Sequence, residues 1–396
     1  MRTGTVRFRM PMPADTQTPI TIAGAGPSGL AAAMWLARAG RAVVVHEARP
    51  RVGDRWRGGW QIIENFIQSE DALALLTRLG IPVRFAHHSL TALTVFDDRM
   101  RATELRSASP LGYLVRRGDA PSALDGGLLA AALDAGVEVR WNSRVAPDQP
   151  VHIRATGPQA ADGLGCELVF PTRLAHRLQV ILDPRLAPGG YAYLFIHDGW
   201  ATIGMALVRG FKQLDDYWRA TLERFQRLAS FDPGDAKRSI AYVNFCLPQR
   251  LGRNGTCTVG EAAGLQDDLL GFGIRSAIVS GCLAAQHVLG GDSYDAAWRR
   301  QLAPSQEMGL WLRFLYEGGG RPVARWLIQG AARRGDLRAY LEEWYRPAWW
   351  KRAALPWIRW RWGARGCTAH QPPEHWCRRR KKEPVLFFSR PPLHEK

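Results

Sequence analysis

The sequence predicts an α/β fold: a Rossmann-type parallel sheet carrying an inserted antiparallel-sheet lobe. Three observations predict it. A strand, a glycine-rich turn, a helix and a second strand ending in an acid follow one another from Ile20 to Glu47. A second passage of strand, glycine turns and helix runs from Thr258 to Gly281. Between them, Tyr191–His197 and Trp200–Met205 read as the two arms of a hairpin.

Ile20–Ala23 is a short β-branched and apolar run, the signature of a buried parallel strand. It enters Gly24-Ala25-Gly26-Pro27-Ser28-Gly29, a G-x-G-x-x-G turn. Leu30–Ala39 is rich in good helix formers, and Gly40 ends that helix. Ala42–Val45 is the second strand, and Glu47 closes it 18 residues after Gly29. Gly24 permits the tight turn, Gly26 lets a pyrophosphate approach the backbone, and Gly29 lets helix and strand pack closely. Pro27 and Ser28 open the helix, whose free N–H groups and partial positive charge suit phosphate. Glu47, with Ala48 beside it, accepts hydrogen bonds from a ribose 2′-hydroxyl and repels a 2′-phosphate. This turn alone admits either FAD or NAD.

Three further segments decide between them by resemblance. The first is Gly112-Tyr113-Leu114-Val115-Arg116-Arg117, followed by Leu124-Asp125, a helical stretch to Ala135 and the strand Gly136–Arg140. The second is the strand and small-residue turn Ile153–Pro158. The third is Thr258-Val259-Gly260-Glu261-Ala262-Ala263-Gly264, then Gly271-Phe272-Gly273-Ile274, then Ser276–Gly281. In this order and spacing, over roughly residues 18–290, they resemble the FAD-dependent oxidoreductases of the geranylgeranyl reductase type, within the wider aromatic-hydroxylase-like group. The resemblance implies FAD as cofactor, with Glu261 at its ribityl or pyrophosphate region. It also implies that Gly271, Gly273 and Ile274 face the flavin ring. Glu261 stands where the family usually has Asp, and Asp268 near where it often has Pro. No second G-x-G-x-x-G is present, so the reductant is an external electron donor rather than a nicotinamide held in a domain of its own.

The lobe follows from its own pattern. Asp198-Gly199 between two strand-like runs signals a type I′ hairpin turn. Leu214–Leu228 places Leu, Tyr, Trp and Phe at helical spacing, and Tyr242–Leu247 reads as a further strand. Gly190–Phe195 resembles the family strand whose bulky side chains line an apolar pocket. Tyr191, Tyr193 and Phe195, spaced two apart, share one sheet face in any case. The expected organisation is an FAD-binding domain over 18–160 and 251–292, an antiparallel-sheet substrate lobe over 161–250, a helical region over 293–343 and a Trp/Arg-rich basic tail over 344–396.

The loop Gly53–Gln61 is expected to wrap the pyrophosphate, with Arg55 the favoured phosphate partner among Arg49, Arg51, Arg55 and Arg57. Arg117 joins the expected cofactor contacts through its segment. Gln61 and Asn65 are candidates for orienting substrate. No side chain stands out as a proton donor: His87 and His88 read as surface residues and His197 as a hairpin-tip residue. Flavin chemistry needs little from side chains, because the cofactor carries the hydride.

Composition sets the surroundings. The net charge is +17, which attracts polyanions. Between Glu343 and Glu374 the chain has no acid but carries Trp344, Trp349, Trp350, Trp357, Trp360 and Trp362 among Arg and Lys. That mixture reads as an interfacial segment for an anionic membrane surface. Pro347 and Pro356 are expected to break it into short pieces. The same residues capping the core with their indoles is the competing reading. Nucleic acid is disfavoured, because a flavin domain implies a small apolar or lipid-like substrate. Cys367, His370, His375 and Cys377 are zinc-type ligands, but the tight His-x-Cys spacing assigns no metal. The six scattered cysteines, with neither a secretory signal nor an apolar run long enough to span a bilayer, suggest a cytoplasmic protein, peripheral to the membrane's inner face. The expected activity is reduction or dehydrogenation of a lipid-like or polyprenyl substrate. The alternatives are a monooxygenase hydroxylating a ring, and a non-catalytic flavin-fold protein tethered to a membrane or partner.

Overall fold

A computed structural model describes residues 18–362, apart from 160, 246 and 249, and the backbone alone over 359–362. Cys367, His370, His375, Cys377 and the end of the basic tail lie outside the described residues. The opening unit is β1 (Ile20–Ala23), α1 (Pro27–Arg38) and β2 (Val43–His46). Then come β3 (Trp60–Glu64), α2 (Ala72–Arg78), β4 (His87–Leu90), β5 (Ala92–Phe96), β6 (Ala102–Arg106) and β7 (Gly112–Arg116). The chain continues through α3 (Leu124–Asp134), β8 (Glu138–Arg140) and β9 (Ile153–Arg154). The middle run is β10 (Gly163–Pro171), β11 (Arg177–Ile181), β12 (Tyr191–His197), β13 (Trp200–Leu207), α4 (Leu214–Ala229) and β14 (Ser239–Val243). It closes with β15 (Gly252–Arg253), β16 (Thr256–Thr258), α5 (Ile274–Val288), α6 (Tyr294–Gln301), α7 (Ala303–Arg334), α8 (Leu337–Tyr345) and α9 (Trp349–Trp362).

One sheet has the order β15-β16-β9-β1-β2-β8 and is parallel except for the β15–β16 hairpin. Chain order turns back on either side of β1, so a crevice opens at the carboxyl ends of β1 and β9, where open α/β sheets bind ligands. Helices α1 and α5 pack against each other so closely that a Cβ on Gly281 would meet the Ser28 carbonyl oxygen at 2.1 Å.

The second sheet, β14-β10-β13-β12-β11-β5-β6, is antiparallel except where β11 meets β5. It is assembled from two chain segments, because β5 and β6 precede residue 160. The lobe is therefore not formed by 161–250 alone. Its two faces differ as period-two alternation requires. Cys166, Leu168, Phe170, Leu194, Ile196, Ile203 and Met205 form one core with Trp218 and Phe225 of α4. The opposite face carries Glu167, Tyr193 and Phe195. The hairpin turn is type I′ as expected, with positive φ at Asp198 (45°) and Gly199 (71°). The strand expected over Tyr242–Leu247 instead ends at Val243. A third sheet, β3-β7-β4, gives Ile63, Tyr113 and Val115 to the core of the first sheet and Trp60, Leu90 and Leu114 to a core shared with Leu178 and Phe195 of the second.

The carboxy-terminal helices depart from the sequence reading. α7 is kinked at Gly320 (φ 55°), two residues before Pro322, and otherwise runs through. The chain breaks around Pro347, between α8 and α9, as expected, but α9 itself runs through Pro356 as one helix. Leu355 and Ile358 on its inner face are buried with Phe245 and Leu310, and that burial holds the turn across the proline. Trp344 stacks on Trp311 at 6.1 Å, and Lys351 donates to the carbonyls of Trp344 and Arg346 beneath three indoles. The start of the expected tail is thus part of the packed body.

Candidate cofactor and substrate site

The glycine turn is shaped as its residue types require. Gly24 has φ +103°, and a Cβ there would strike the Ala155 carbonyl oxygen at 2.3 Å. Gly29 faces the Gly24 carbonyl oxygen, 2.0 Å from where its Cβ would stand. A Cβ on Gly26, by contrast, would meet nothing within 4 Å. Pro27 takes the first helical position with Gly26 as the cap, and Ser28 is buried behind it. The backbone N–H of Ala25 donates to Glu47 Oε2 at 2.8 Å, which fixes the carboxylate at the mouth of the turn. Ala48, exposed beside it, is open to solvent. A dinucleotide fits this cradle: Gly26 leaves space over the helix N-terminus, and Glu47 stands at the carboxyl edge of β2.

The later segments converge on the same crevice. Arg55 donates to Glu261 Oε2 at 2.5 Å, and its guanidinium is 3.6 Å from where a Cβ on Gly157 would stand. One contact therefore joins the Gly53–Gly59 loop, the turn after β9 and the segment before α5. Gly260 (φ +59°) donates its N–H to Ser280 Oγ, and a Cβ on it would press on Ser28. Gly271 is in the left-handed region, Gly273 caps α5 and Ile274 begins it. The turn before them is held from several directions. Asp267 Oδ2 accepts from Leu270 N, while buried Arg313 donates to the carbonyls of Asp268, Leu269 and Gly189. Asp268, read above at the family's proline position, is fully buried with neither carboxylate oxygen hydrogen-bonded, and burial pushes its pKa well above the ordinary value.

Several polar candidates have other employment. Arg117 donates two hydrogen bonds of 2.8 Å to Asp125 and a third to Gln61 Oε1, so both Arg117 and Gln61 are committed to a buried network. Asn65 accepts from Ala72 N and donates to Asp71, the cap of α2, so it holds that helix rather than a substrate. Arg49 and Arg51 pair with Asp54, and Arg57 with Asp119.

The side chain missed in the sequence is Glu167. It lies in β10 opposite Gly204 of β13, and Tyr193 of β12 is opposite Gly204 on the other side. Without a side chain at Gly204, where a Cβ would be 2.2 Å from the Tyr193 ring, the tyrosine leans across until its hydroxyl is 3.4 Å from Glu167 Oε2. The Gly53–Gly59 loop closes over the carboxyl: Trp56 rests on Gly165, and a Cβ on Gly59 would be 1.7 Å from Glu167 Oε1. Burial pushes the pKa of Glu167 up to about 8, so it is protonated at neutral pH. The signal was present: an acid inside the apolar run Gly163–Pro171. Around this face lies an apolar wall that includes Phe195, Leu178, Leu269, Leu270 and Phe272.

Comparison with known proteins gives this arrangement its context. Residues 10–95 match the Thi4 family. Digeranylgeranylglycerophospholipid reductase of Methanosphaerula palustris is 27% identical over 72% of this chain and 82% of its own length. Menaquinone reductase of Mycolicibacterium smegmatis is 25% identical over 72% of this chain and 80% of its own. The geranylgeranyl bacteriochlorophyll reductase-like protein of Thermoplasma acidophilum superposes with a TM-score of 0.65 at 18% identity, over 86% of this chain and 98% of that one. This is the FAD-binding flavoprotein fold. A flavin-dependent brominase shares it at a TM-score of 0.59 and 15% identity, over 86% of this chain and 99% of its own. The resemblance read from the motif segments, to flavoproteins of the geranylgeranyl reductase type, is the one these relatives carry. In this flavoprotein fold the segments around Gly24–Gly29 and Gly260 meet, with the Gly260 N–H donating to Ser280 Oγ beside Ser28. The Glu167–Tyr193 pair adds a polar point to an otherwise apolar wall.

Proposed function

We propose that the chain is an FAD-dependent oxidoreductase that reduces a carbon–carbon double bond of a lipid-like or polyprenyl substrate, with Glu167 supplying the proton. Saturating such a bond adds a hydride to one carbon and a proton to the other. FAD, once bound and reduced by an external donor, supplies the hydride. The observation that carries the reading is Glu167: a carboxylic acid kept protonated on the same sheet face as Tyr193 and Phe195. An acid whose pKa stands near the working pH is suited to give up a proton and regain it. Tyr193 orients the carboxyl, the Gly53–Gly59 loop keeps water from it, and the apolar wall accepts an isoprenoid chain. The relatives named as reductases of digeranylgeranylglycerophospholipid and menaquinone support a substrate bearing isoprenoid double bonds.

The test is a single turnover under anaerobic conditions. Protein with pre-reduced FAD is mixed with a polyprenyl lipid, and the product is analysed by mass spectrometry for two added hydrogens. Substrate-dependent oxygen consumption with an oxygenated product would overturn the reading in favour of a monooxygenase.

An apolar substrate also calls for a lipid surface. Trp349, Trp350 and Trp357 of α9 are 82%, 47% and 51% exposed, beside exposed Arg346 and Arg352. Exposed indoles with cations suit the headgroup region of an anionic bilayer. No helix among the described residues is long and apolar enough to cross a membrane, so the proposed attachment is peripheral.

A further inference from the structure

We propose that His88, His176 and His197 form a site for a divalent transition-metal ion of the zinc class. Three separate elements supply them: β4, the loop between β10 and β11, and the end of β12. Their ligand atoms all lie within 4.8 Å of one another. Nδ1 of His176 and Nδ1 of His197 are 3.1 Å apart, and the rings of His88 and His197 are 4.3 Å apart between centroids. Zinc binds imidazole nitrogen at about 2.0–2.1 Å, which sets tetrahedral ligand atoms roughly 3.3 Å apart. The His176–His197 pair already has that spacing. The third nitrogen, on exposed His88, stands within 4.8 Å of the other two.

The surroundings suit ligation. Trp60 packs edge-on against His197 at 5.2 Å and limits its ring rotation. Asp198, next in the chain, contributes negative charge beside His197. Three imidazoles leave the fourth tetrahedral position to water or another ligand. Since β4 belongs to the three-stranded sheet and β12 to the seven-stranded one, a bound ion ties the two sheets together at this edge.

The test uses the full chain with FAD bound, stripped of metal by chelator and titrated with Zn²⁺ by calorimetry and with Co²⁺ by visible absorption. One ion should bind and give a tetrahedral Co²⁺ spectrum without a thiolate charge-transfer band. His176→Ala and His197→Ala should each weaken Zn²⁺ at least about ten-fold, with FAD content unchanged and the metal-free melting temperature close to wild type. Cys367→Ser/Cys377→Ser should bind as wild type does. Unchanged affinity in the His176→Ala/His197→Ala pair, a thiolate band abolished in the cysteine variant, or no Zn²⁺ binding by wild type would each overturn the proposal.

Discussion

The hydroxyl of Tyr345 donates a hydrogen bond to Oδ1 of Asp267 across 2.8 Å of protein interior. It joins the end of α8 to the turn that leads into α5. Burial holds Asp267 above its ordinary pKa, and this hydrogen bond works against that shift. The turn carrying Gly271 and Gly273 therefore leans on a residue of the Trp/Arg-rich segment. Read from the sequence, removal of everything from residue 344 spares the cofactor site, whose motifs end near 290. The packing of Tyr345 reverses that expectation. Truncation from 344 should lower FAD occupancy, whereas truncation from 363 should leave it at the full-length value. Tyr345→Phe should cost about 1–3 kcal/mol of stability, as for a buried polar group that loses its partner. Thermal melting and released FAD measure both outcomes.

Gly26 and Gly29 should separate cofactor binding from folding. A side chain on Gly26 projects into open space over the helix N-terminus, so Gly26→Val should give a folded protein that lacks FAD. A side chain on Gly29 strikes the Gly24 carbonyl, so Gly29→Val should lower soluble yield and melting temperature as well. Normal FAD occupancy in Gly26→Val would remove the cradle assignment.

Glu47→Ala should speed FAD release and weaken binding by about 1–3 kcal/mol, the value of a hydrogen bond to a charged group. It also frees the Ala25 N–H that Glu47 holds at 2.8 Å, so part of the loss comes through the turn. A stopped-flow FAD dissociation rate equal to wild type would show that Glu47 does not hold the ribose.

Glu167 should leave a mark on stability as well as on turnover. Its pKa rises from 4.5 to about 8 on folding. Between those values the folded protein keeps a proton that the unfolded chain has released. Its contribution is complete below the lower value and is lost as pH rises through the upper one. Glu167→Gln cannot ionise, so its melting temperature should fall less than that of wild type from about pH 5 to about pH 8. Glu64, raised to about 7 by burial, leaves a residual slope in both proteins. Double-bond reduction in Glu167→Gln should slow by roughly 10²–10⁴-fold, with reduction of FAD by a chemical donor unaffected. Equal pH slopes in the two proteins would show that Glu167 is ionised in the folded state.

If α9 docks on lipid, the full chain should sediment with anionic vesicles and much less with neutral ones. Each cation near the surface adds about 1 kcal/mol, and salt screens it within a Debye length. Raising salt should therefore weaken binding without abolishing it, because inserted indoles are not screened. Replacing Trp349, Trp350 and Trp357 by Ser should remove the salt-resistant part and leave FAD in place. Unchanged sedimentation of that variant would count against α9 as the contact, and tighter binding to single-stranded nucleic acid than to vesicles would favour the other polyanion.

The sequence by itself determined the opening βαβ unit, the glycine cradle, the type I′ hairpin and α4. Each is specified by neighbours in the chain. A strand entering Gly24 can turn only if φ is positive there, and Asp198-Gly199 sets its own backbone. The alternation of Tyr191, Tyr193 and Phe195 assigns them one face whatever packs on it. The tertiary structure decided what depends on distant segments meeting. Glu167 is an ordinary acid until the loop at Gly59 and the packing over Gly204 bury it, and that burial raises its pKa against the opposing hydrogen bond from Tyr193. Asn65 and Arg117 are free polar groups in the sequence, but Asp71 and Asp125 claim them in the fold. Pro356 breaks a helix on local propensity, yet the burial of Leu355 and Ile358 outweighs it. His88, His176 and His197 have no common spacing to betray them, and only the closure of one sheet edge on another brings their nitrogens together.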